Sequence, residues 1–214
     1  MSQQNALSLT AAASESTMIR VAAITGDGVI LVYSSLPGND PSAYGNFVAV
    51  WEDSIIPYSK PPLQKIPISG NTPKGSLAVQ NLMPDKNEYI FGYAVGPRVG
   101  DICAYAYIAP DKPEIAFSST LTLTLITPDS IVLSYSLPPG CDPVQNSASV
   151  ALWRGSIGSY TKPPLANAAI TDDASTGNVA LTNLQIIYGM TYTAAILMSH
   201  NPTSMAAWVT FQVG

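Results

Sequence analysis

The segment VAVWEDSIIPYSKPPL, residues 48–63, recurs 102 positions later as VALWRGSIGSYTKPPL, residues 150–165. The match continues upstream without a gap, where YSSLPGNDP at 33–41 aligns with YSLPPGCDP at 135–143. About half of the positions in the aligned spans are identical. A unit of about 100 residues is too long for a solenoid repeat and has the size of an independent domain. The sequence therefore predicts a chain built from two copies of one domain.

The junction between the copies is the segment APDKPEI, residues 109–115, which has two prolines and no glycine. A linker of this composition is stiff. We place the first domain at residues 1–109 and the second at residues 110–214.

Each copy consists of short runs rich in β-branched and aromatic residues, separated by Gly, Pro, Asn and Asp, without a sustained helical period. The strands predicted in the first copy are 17–24, 29–33, 47–52, 64–68, 76–80, 88–95 and 102–108. Those predicted in the second copy are 121–126, 131–135, 149–154, 166–170, 178–182, 191–198 and 205–213. Seven short strands at this spacing predict an all-β fold with one antiparallel β-sandwich per copy.

Alternation along the strands predicts which side chains form the core. Side chains at every second position lie on one face of a sheet. Burial of one such aliphatic or aromatic side chain is worth about 1.5–3 kcal/mol. The predicted core therefore includes Val29, Leu31, Tyr33, Tyr89, Phe91, Tyr93 and Val95, and in the second copy Ile131, Leu133, Tyr135, Tyr192, Ala194, Ile196 and Met198.

The segment NLMPDKNEY, Asn81–Tyr89, resembles the part of fibronectin type III domains in which Leu-x-Pro precedes a tyrosine that opens the sixth strand. The resemblance implies that the hydroxyl of Tyr89, and that of Tyr192 in NLQIIYGMTY, bonds back to the chain as a tyrosine corner. VILVYSSLPG and IVLSYSLPPG are similar to the second strand of the family and its proline-rich turn. The chain departs from the family at Tyr33 and Tyr135, where tryptophan is usual, and the second copy lacks the proline of Leu-x-Pro. An immunoglobulin-like sandwich of another family is the alternative.

The composition limits the class of partner. The 214 residues are 47% hydrophobic and only 11% charged, and the net charge is −5. The nine cationic residues form no cluster, so neither nucleic acid nor an anionic membrane surface is a predicted partner. The first residues do not resemble a secretory signal, and no apolar run reaches the roughly 18 residues of a membrane span. We expect a soluble protein that is cytoplasmic or is exported by a route without a cleaved signal.

The sequence contains no recognisable catalytic or metal-binding set. The one histidine, His200, cannot form a multi-histidine zinc site, and Cys103 and Cys141 lack C-x₂-C spacing. We expect two unlinked thiols, with Cys103 buried in a strand and Cys141 more exposed in a loop. No P-loop, G-x-G-x-x-G or G-x-S-x-G motif occurs. The sequence therefore predicts a protein that is not an enzyme and has no cofactor and no metal.

The retained prolines and aspartates are interpreted as structural. The consecutive prolines cannot donate to a ladder and so protect a sheet edge, and the tyrosine and leucine around them are expected to pin each segment onto the sandwich. The aspartates of the Asp-Pro turns are expected to cap backbone N–H groups. The residues with these structural roles are Tyr89, Tyr192, Pro61, Pro62, Pro163, Pro164, Asp40 and Asp142, with Tyr58, Tyr160, Leu63 and Leu165 as the pins.

Aromatic residues are the candidates for binding. Alternation in the last strand directs Trp208 away from the core, and the repeat gives Tyr105 and Tyr107 the same direction in the first copy. The direction of Trp51 and Trp153 is left open, because both flanks of their strands are apolar. Outward aromatic side chains would form a strip that stacks on a sugar or contacts a protein.

These features favour a non-enzymatic binding or assembly protein made of two sandwiches, whose partner is another protein or a second copy of the chain. A carbohydrate-binding protein, in which duplicated sites would raise avidity, is the first alternative. A secreted toxin or effector is the second.

Overall fold

The structure is a computed structural model that describes residues 9–214. This part of the chain contains sixteen β-strands and two single-turn 3₁₀ helices, at Val99–Asp101 and Pro202–Ser204. The strands are β1 (Leu9–Ser16), β2 (Met18–Thr25), β3 (Gly28–Ser34), β4 (Phe47–Trp51), β5 (Gln64–Pro67), β6 (Lys74–Gln80), β7 (Tyr89–Ala94), β8 (Ile102–Ile108), β9 (Ile115–Ser118), β10 (Thr120–Ile126), β11 (Ile131–Ser136), β12 (Ser149–Arg154), β13 (Ala166–Ala169), β14 (Thr176–Leu181), β15 (Thr191–Leu197) and β16 (Met205–Val213).

The strands form four antiparallel sheets, which divide between two units. The N-unit contains Thr17–Ser119 and Leu137–Cys141, with sheet orders β2-β3-β6 and β5-β4-β7-β8-β9. The C-unit contains β1, Thr120–Ser136 and Asp142–Gly214, with sheet orders β10-β11-β14 and β1-β16-β15-β12-β13. The predicted all-β antiparallel fold is confirmed, and all fourteen predicted strands are present within small boundary differences. Each unit has eight strands, one more than predicted.

The additional strand of each unit comes from the other copy of the repeat. β9 precedes β10 in sequence but pairs with β8 in the N-unit, and β1 precedes β2 but pairs with β16 in the C-unit. A single fully buried residue, Thr17 or Ser119, separates each exchanged strand from the strand that follows it. The predicted boundaries, 1–109 and 110–214, therefore need correction, because β1 belongs with the second copy and β9 with the first.

The sandwich cores contain the predicted side chains. In the N-unit the rings of Tyr33 and Tyr93, from opposite sheets, lie with their centroids 5.3 Å apart. In the C-unit Tyr192 and Phe211 stack at 5.8 Å. All fourteen residues predicted for the core are buried.

The other face of the five-stranded sheet is also buried. In the N-unit Phe47, Ala49 and Trp51 of β4 form an apolar cluster, the outer-face cluster, with Ile90 of β7 and Tyr107 of β8. These residues alternate with those that enter the sandwich core, so they lie on the opposite face. A strand buried on both faces has a continuous apolar sequence instead of an alternating one. This is why the sequence left the direction of Trp51 open.

Candidate functional site

The candidate site lies in the repeated segment VAVWEDSIIPYSKPPL, residues 48–63, and its copy VALWRGSIGSYTKPPL, residues 150–165. We call residues 52–63, between β4 and β5, and the aligned residues 154–165 the crossing segments. Their patterns of burial and exposure are nearly the same, position by position. Each crossing segment lies within one unit, so the chain presents the shared Lys-Pro-Pro-Leu sequence twice, whereas exposed Glu52 of the first segment is replaced by exposed Arg154 in the second.

The tryptophan before each crossing segment fixes the backbone of its Lys-Pro-Pro-Leu sequence. The indole Nε1 of Trp51 donates a hydrogen bond to the carbonyl oxygen of Lys60 at 3.3 Å, and Trp153 donates to Lys162 at 3.1 Å. Both tryptophan side chains are 4% exposed. Because a buried N–H without a partner is costly, this bond ties the position of the lysine carbonyl to the core.

The leucine that ends each crossing segment is held by its backbone while its side chain is exposed. The backbone N–H of Leu63 donates to the carbonyl oxygen of Val50, and that of Leu165 to Leu152, both at 2.7 Å. Leu63 is nevertheless 59% exposed and Leu165 is 58% exposed. The prediction that these leucines pin the segments onto the sandwich is therefore wrong, because the backbone bond holds this end.

A second apolar side chain is exposed in both crossing segments. Ile55 is 62% exposed and its counterpart Ile157 is 55% exposed. Lys60 and Lys162 are also exposed, and neither forms an ion pair with another residue in the 9–214 region that the structure describes. Each unit thus presents an isoleucine, a lysine and a leucine from one loop whose backbone is fixed.

The tyrosine of the first crossing segment is anchored. Tyr58 packs against the outer-face cluster, and its buried hydroxyl lies beside the thiol of Cys141. Burial raises the pKa of Tyr58 well above its usual range. Cys141 is itself buried, so the expectation that it is more exposed is wrong. The two cysteines form no disulfide, as predicted, and burial raises the pKa of the Cys103 thiol.

The five aromatic residues proposed for binding are not available to solvent as an exposed strip. Trp208 is 1% exposed, and Tyr107 is buried with its hydroxyl donating to Glu88 Oε2 at 2.6 Å. Tyr105 is half-buried and stacks on Phe117 at 5.4 Å. The predicted direction, away from the sandwich core, is correct for Tyr105 and Tyr107, which contact the outer-face cluster together with Trp51. The predicted exposure is wrong, because this face is itself packed.

The residues assigned to turns make the predicted kinds of contact. The hydroxyl of Tyr89 accepts a hydrogen bond from the backbone N–H of Met83 at 3.1 Å, and Tyr192 accepts from Ile187 at 2.9 Å. The carboxylate of each Asp-Pro turn accepts from a backbone N–H three residues later. These bonds join Asp40 to Ala43 at 3.1 Å and Asp142 to Gln145 at 2.9 Å.

The prolines of the crossing segments are at the surface. Pro61 and Pro163 are exposed, whereas Pro62 and Pro164 are half-buried. Each pair directly precedes a short edge strand, β5 or β13. This is the position in which proline blunts an edge.

His200 lines a surface cleft of about 660 Å³ in the C-unit, together with Ser147, Ser149, Asn167 and Thr171. The hydroxyls of the neighbouring Ser199 and Ser204 bond to each other at 2.8 Å, as turn contacts. Among residues 9–214 there is no group of three His, Cys, Asp or Glu side chains that could hold a metal ion. The side chains of these lining residues provide hydroxyl groups, one amide and one imidazole.

Over the same range, no helix is both long and apolar enough to cross a membrane.

Comparison with known proteins gives no family for the chain. No family model matches it. Among solved structures it is similar to the ligand-binding domain of human OSCAR, at 12% identity over 89% of this chain and 93% of that one, with a TM-score of 0.24. It is similar to the FN1–FN3 domains of chicken CNTN1, at 8% identity over 91% of this chain and 64% of that one, with a TM-score of 0.30.

A third similar structure is the pair of tandem V-type regions of VCBP3, a v-region-containing chitin binding protein. The identity is 11% over 94% of this chain and all of that one, with a TM-score of 0.28.

Proposed function

We propose that the chain is a non-enzymatic binding protein whose two crossing segments contact a protein partner. The observation that carries the proposal is the duplicate exposure of the same apolar side chains, Ile55 with Leu63 and Ile157 with Leu165. Exposed apolar side chains that recur as a set mark interaction surfaces, whereas isolated ones are normal.

The retention of these residues between the copies supports a role in binding. Trp51 and Trp153 are retained at buried positions, where packing and a hydrogen bond account for them. The exposed leucine of each crossing segment contributes little to folding through its side chain, yet it is identical in the two copies. Exposed apolar residues are not retained in general: Ile115 aligns with Ala13, and exposed Ile24 aligns with an isoleucine, Ile126, that is buried. Leu125 likewise aligns with Ala23.

The chemistry of the surface indicates the kind of partner. Leucine and isoleucine side chains fit an apolar depression, and the exposed lysine between them favours carboxylates at its rim. The half-buried and exposed prolines keep the loop from rearranging, which lowers the entropy cost of binding. We therefore infer a folded protein with an acidic rim around an apolar pocket. Two loops in one chain that share these exposed side chains permit two-site attachment to a partner that presents its pocket more than once.

The test compares two double variants of the full chain. Leu63→Ser with Leu165→Ser removes the proposed contact from both units. Ile115→Ser with Leu125→Ser is the matched control, with one substitution in each unit at side chains that are 55% and 46% exposed. Both variants should keep the free energy of unfolding of the parent chain to within a few tenths of a kcal/mol, because surface substitutions change stability little.

The readout is quantitative capture of proteins from extracts of the source cells by immobilised chain. We expect at least one protein that is retained by the parent and by the control and is lost from the Leu63→Ser, Leu165→Ser variant. Adding salt should weaken the same capture, because the lysine contribution is screened. Identical capture by both variants would contradict the proposal.

The burial of the three tryptophans disfavours the carbohydrate alternative. Stacking on a sugar needs an accessible ring face. Trp51, Trp153 and Trp208 have none, because each is at most 4% exposed. Binding to a protein partner is therefore the function that the described surface supports best.

A further inference from the structure

The exchanged strand β1 points to a second way in which the chain engages a partner, independent of the crossing segments. β1 completes the sheet of the C-unit, while the strand that follows it, β2, belongs to the N-unit. β9 does the same in reverse. Each unit thus takes seven strands from one copy of the repeat and its eighth strand from the other copy.

We propose that β1 is an exchangeable strand, and that the edge of β16 in one chain accepts β1 from a second copy of the same chain. The pairing of β1 with β16 would be made of the same hydrogen bonds whichever chain supplies β1. Exchange of an identical element between protomers is a low-cost route to oligomers. Addition of a strand to an exposed edge is a common mode of association, driven by backbone hydrogen bonds.

β1 is held to its sheet mainly by backbone pairing. It pairs with β16 from Leu9 opposite Val213 to Ser16 opposite Ala207. The side chains of Ala12, Ala13, Ser14 and Glu15 are exposed, so they contribute little burial. The sequence of β1, LTAAASES, supplies no large apolar side chain between Leu9 and Ser16.

β9 is held differently and is not expected to exchange. Phe117 stacks on Tyr105, with the ring planes 10° from parallel. Just before β9, the carboxylate of Glu114 accepts a hydrogen bond from the backbone N–H of Val21 at 2.9 Å. Among the described side chains of β1, the hydroxyl of Ser14 donates a long hydrogen bond to the carbonyl oxygen of Leu121 at 3.4 Å, and none makes an aromatic stack like that of Phe117.

The closed and exchanged forms compete through concentration. A strand tethered within its own chain acts at an effective concentration on the order of 1 mM. At lower protein concentrations the chain should close on itself, and near this concentration a second copy should compete. If β16 loses its strand, its nine-residue edge becomes an open template for pairing.

Engineered cysteines can trap the exchange in the full chain. Ala13 and Thr210 lie directly opposite each other in the β1–β16 pair. A donor chain carries Ala13→Cys and an acceptor chain carries Thr210→Cys. After mixing at about 1 mM and oxidation, covalent dimers are separated on a non-reducing gel and the linked residues are identified by mass spectrometry. A chain with both substitutions checks the geometry, since it should form the bond within itself.

A second acceptor favours capture. It carries Thr210→Cys with Ala12→Pro and Ala13→Pro. Successive strand residues direct their N–H groups to opposite sides, so one of the two prolines removes a bond to β16 whichever side it faces. This acceptor should capture the donor's β1 at a concentration about a hundredfold lower than the first, because its own tethered strand no longer competes at about 1 mM.

The control uses the β8–β9 pair, in which Ala106 lies opposite Ala116. Chains with Ala106→Cys and with Ala116→Cys, mixed in the same way, should give no dimer. We expect dimers linked between residues 13 and 210, and fewer of them on dilution. The proposal is overturned if neither acceptor gives such dimers at 1 mM, or if the control pair gives as many.

Discussion

At the level of single residues, the identical positions of the two copies are retained for two reasons. Trp51 and Trp153 are buried and hold a backbone carbonyl, so their retention is explained by the fold. Leu63 and Leu165 are exposed, so their retention is not explained by packing. The sequence alone could not separate the two cases, because both lie next to apolar runs.

The burial of the tryptophans has a direct optical consequence. All three, Trp51, Trp153 and Trp208, are at most 4% exposed. Native emission should therefore be blue-shifted and little quenched by acrylamide, and unfolding in guanidinium should make it fully quenchable. Native quenching equal to that of the unfolded chain would mean that the indoles face water.

The two tyrosine corners should each contribute measurably to stability. Tyr89→Phe and Tyr192→Phe delete the hydroxyls that accept from Met83 and Ile187. Each loss should cost about 1 kcal/mol in the free energy of unfolding, measured by urea titration. Tyr188→Phe is the control, because Tyr188 is 73% exposed and should cost nothing measurable. Equal effects of all three substitutions would refute the assignment.

At the level of elements, the sequence predicted the strands with a sustained apolar alternation and missed β1 and β9. β1 has the sequence LTAAASES, whose small and polar residues carry no alternation. β9 has only four residues. Both strands are defined by their pairing with the last strand of a sheet, which is a long-range contact. Local propensity contains no signal for such a strand.

The connection that leads into β9 should be stabilised by one carboxylate. The bond from Val21 N–H to Glu114 satisfies a backbone donor where the register of β2 shifts, between Val21 and Ala23. Glu114→Ala should lower the urea midpoint by an amount equivalent to about 1 kcal/mol, whereas Glu114→Gln keeps an acceptor oxygen and should lose less. A loss as large in the glutamine variant would show that charge, and not the hydrogen bond, matters.

At the level of the whole molecule, burial on both faces of the five-stranded sheets explains the apolar composition. The sequence predicted the sandwich cores correctly from alternation. It could not predict that Tyr107 and Trp208 would be buried on the second face, because a strand's own sequence does not report what packs against it. The sequence therefore predicts a binding site at the aromatic residues and anchors at the leucines, whereas the structure buries the tryptophans and exposes the leucines.

Stability should fall in alkali, because the fold raises the pKa of several phenols above the ordinary value of about 10. These are Tyr33, Tyr58, Tyr93 and Tyr105, where burial is the largest cause, and Tyr107, where the hydrogen bond to Glu88 is. A group whose pKa is raised by folding contributes stability below its unfolded pKa and loses it as the pH rises. The urea midpoint should therefore decline above about pH 10 from this cause. A midpoint that is constant to pH 11, with all tyrosines ionising normally in the folded chain, would contradict this.

The central claim is that the two crossing segments present one binding surface twice. Site-specific photocrosslinking in the source cells tests it most directly, with a benzophenone amino acid placed at Leu63, at Leu165 or, as the control, at Leu125. Positions 63 and 165 should crosslink to the same protein, and position 125 should not. Different products from positions 63 and 165, or the same product from position 125, would contradict it.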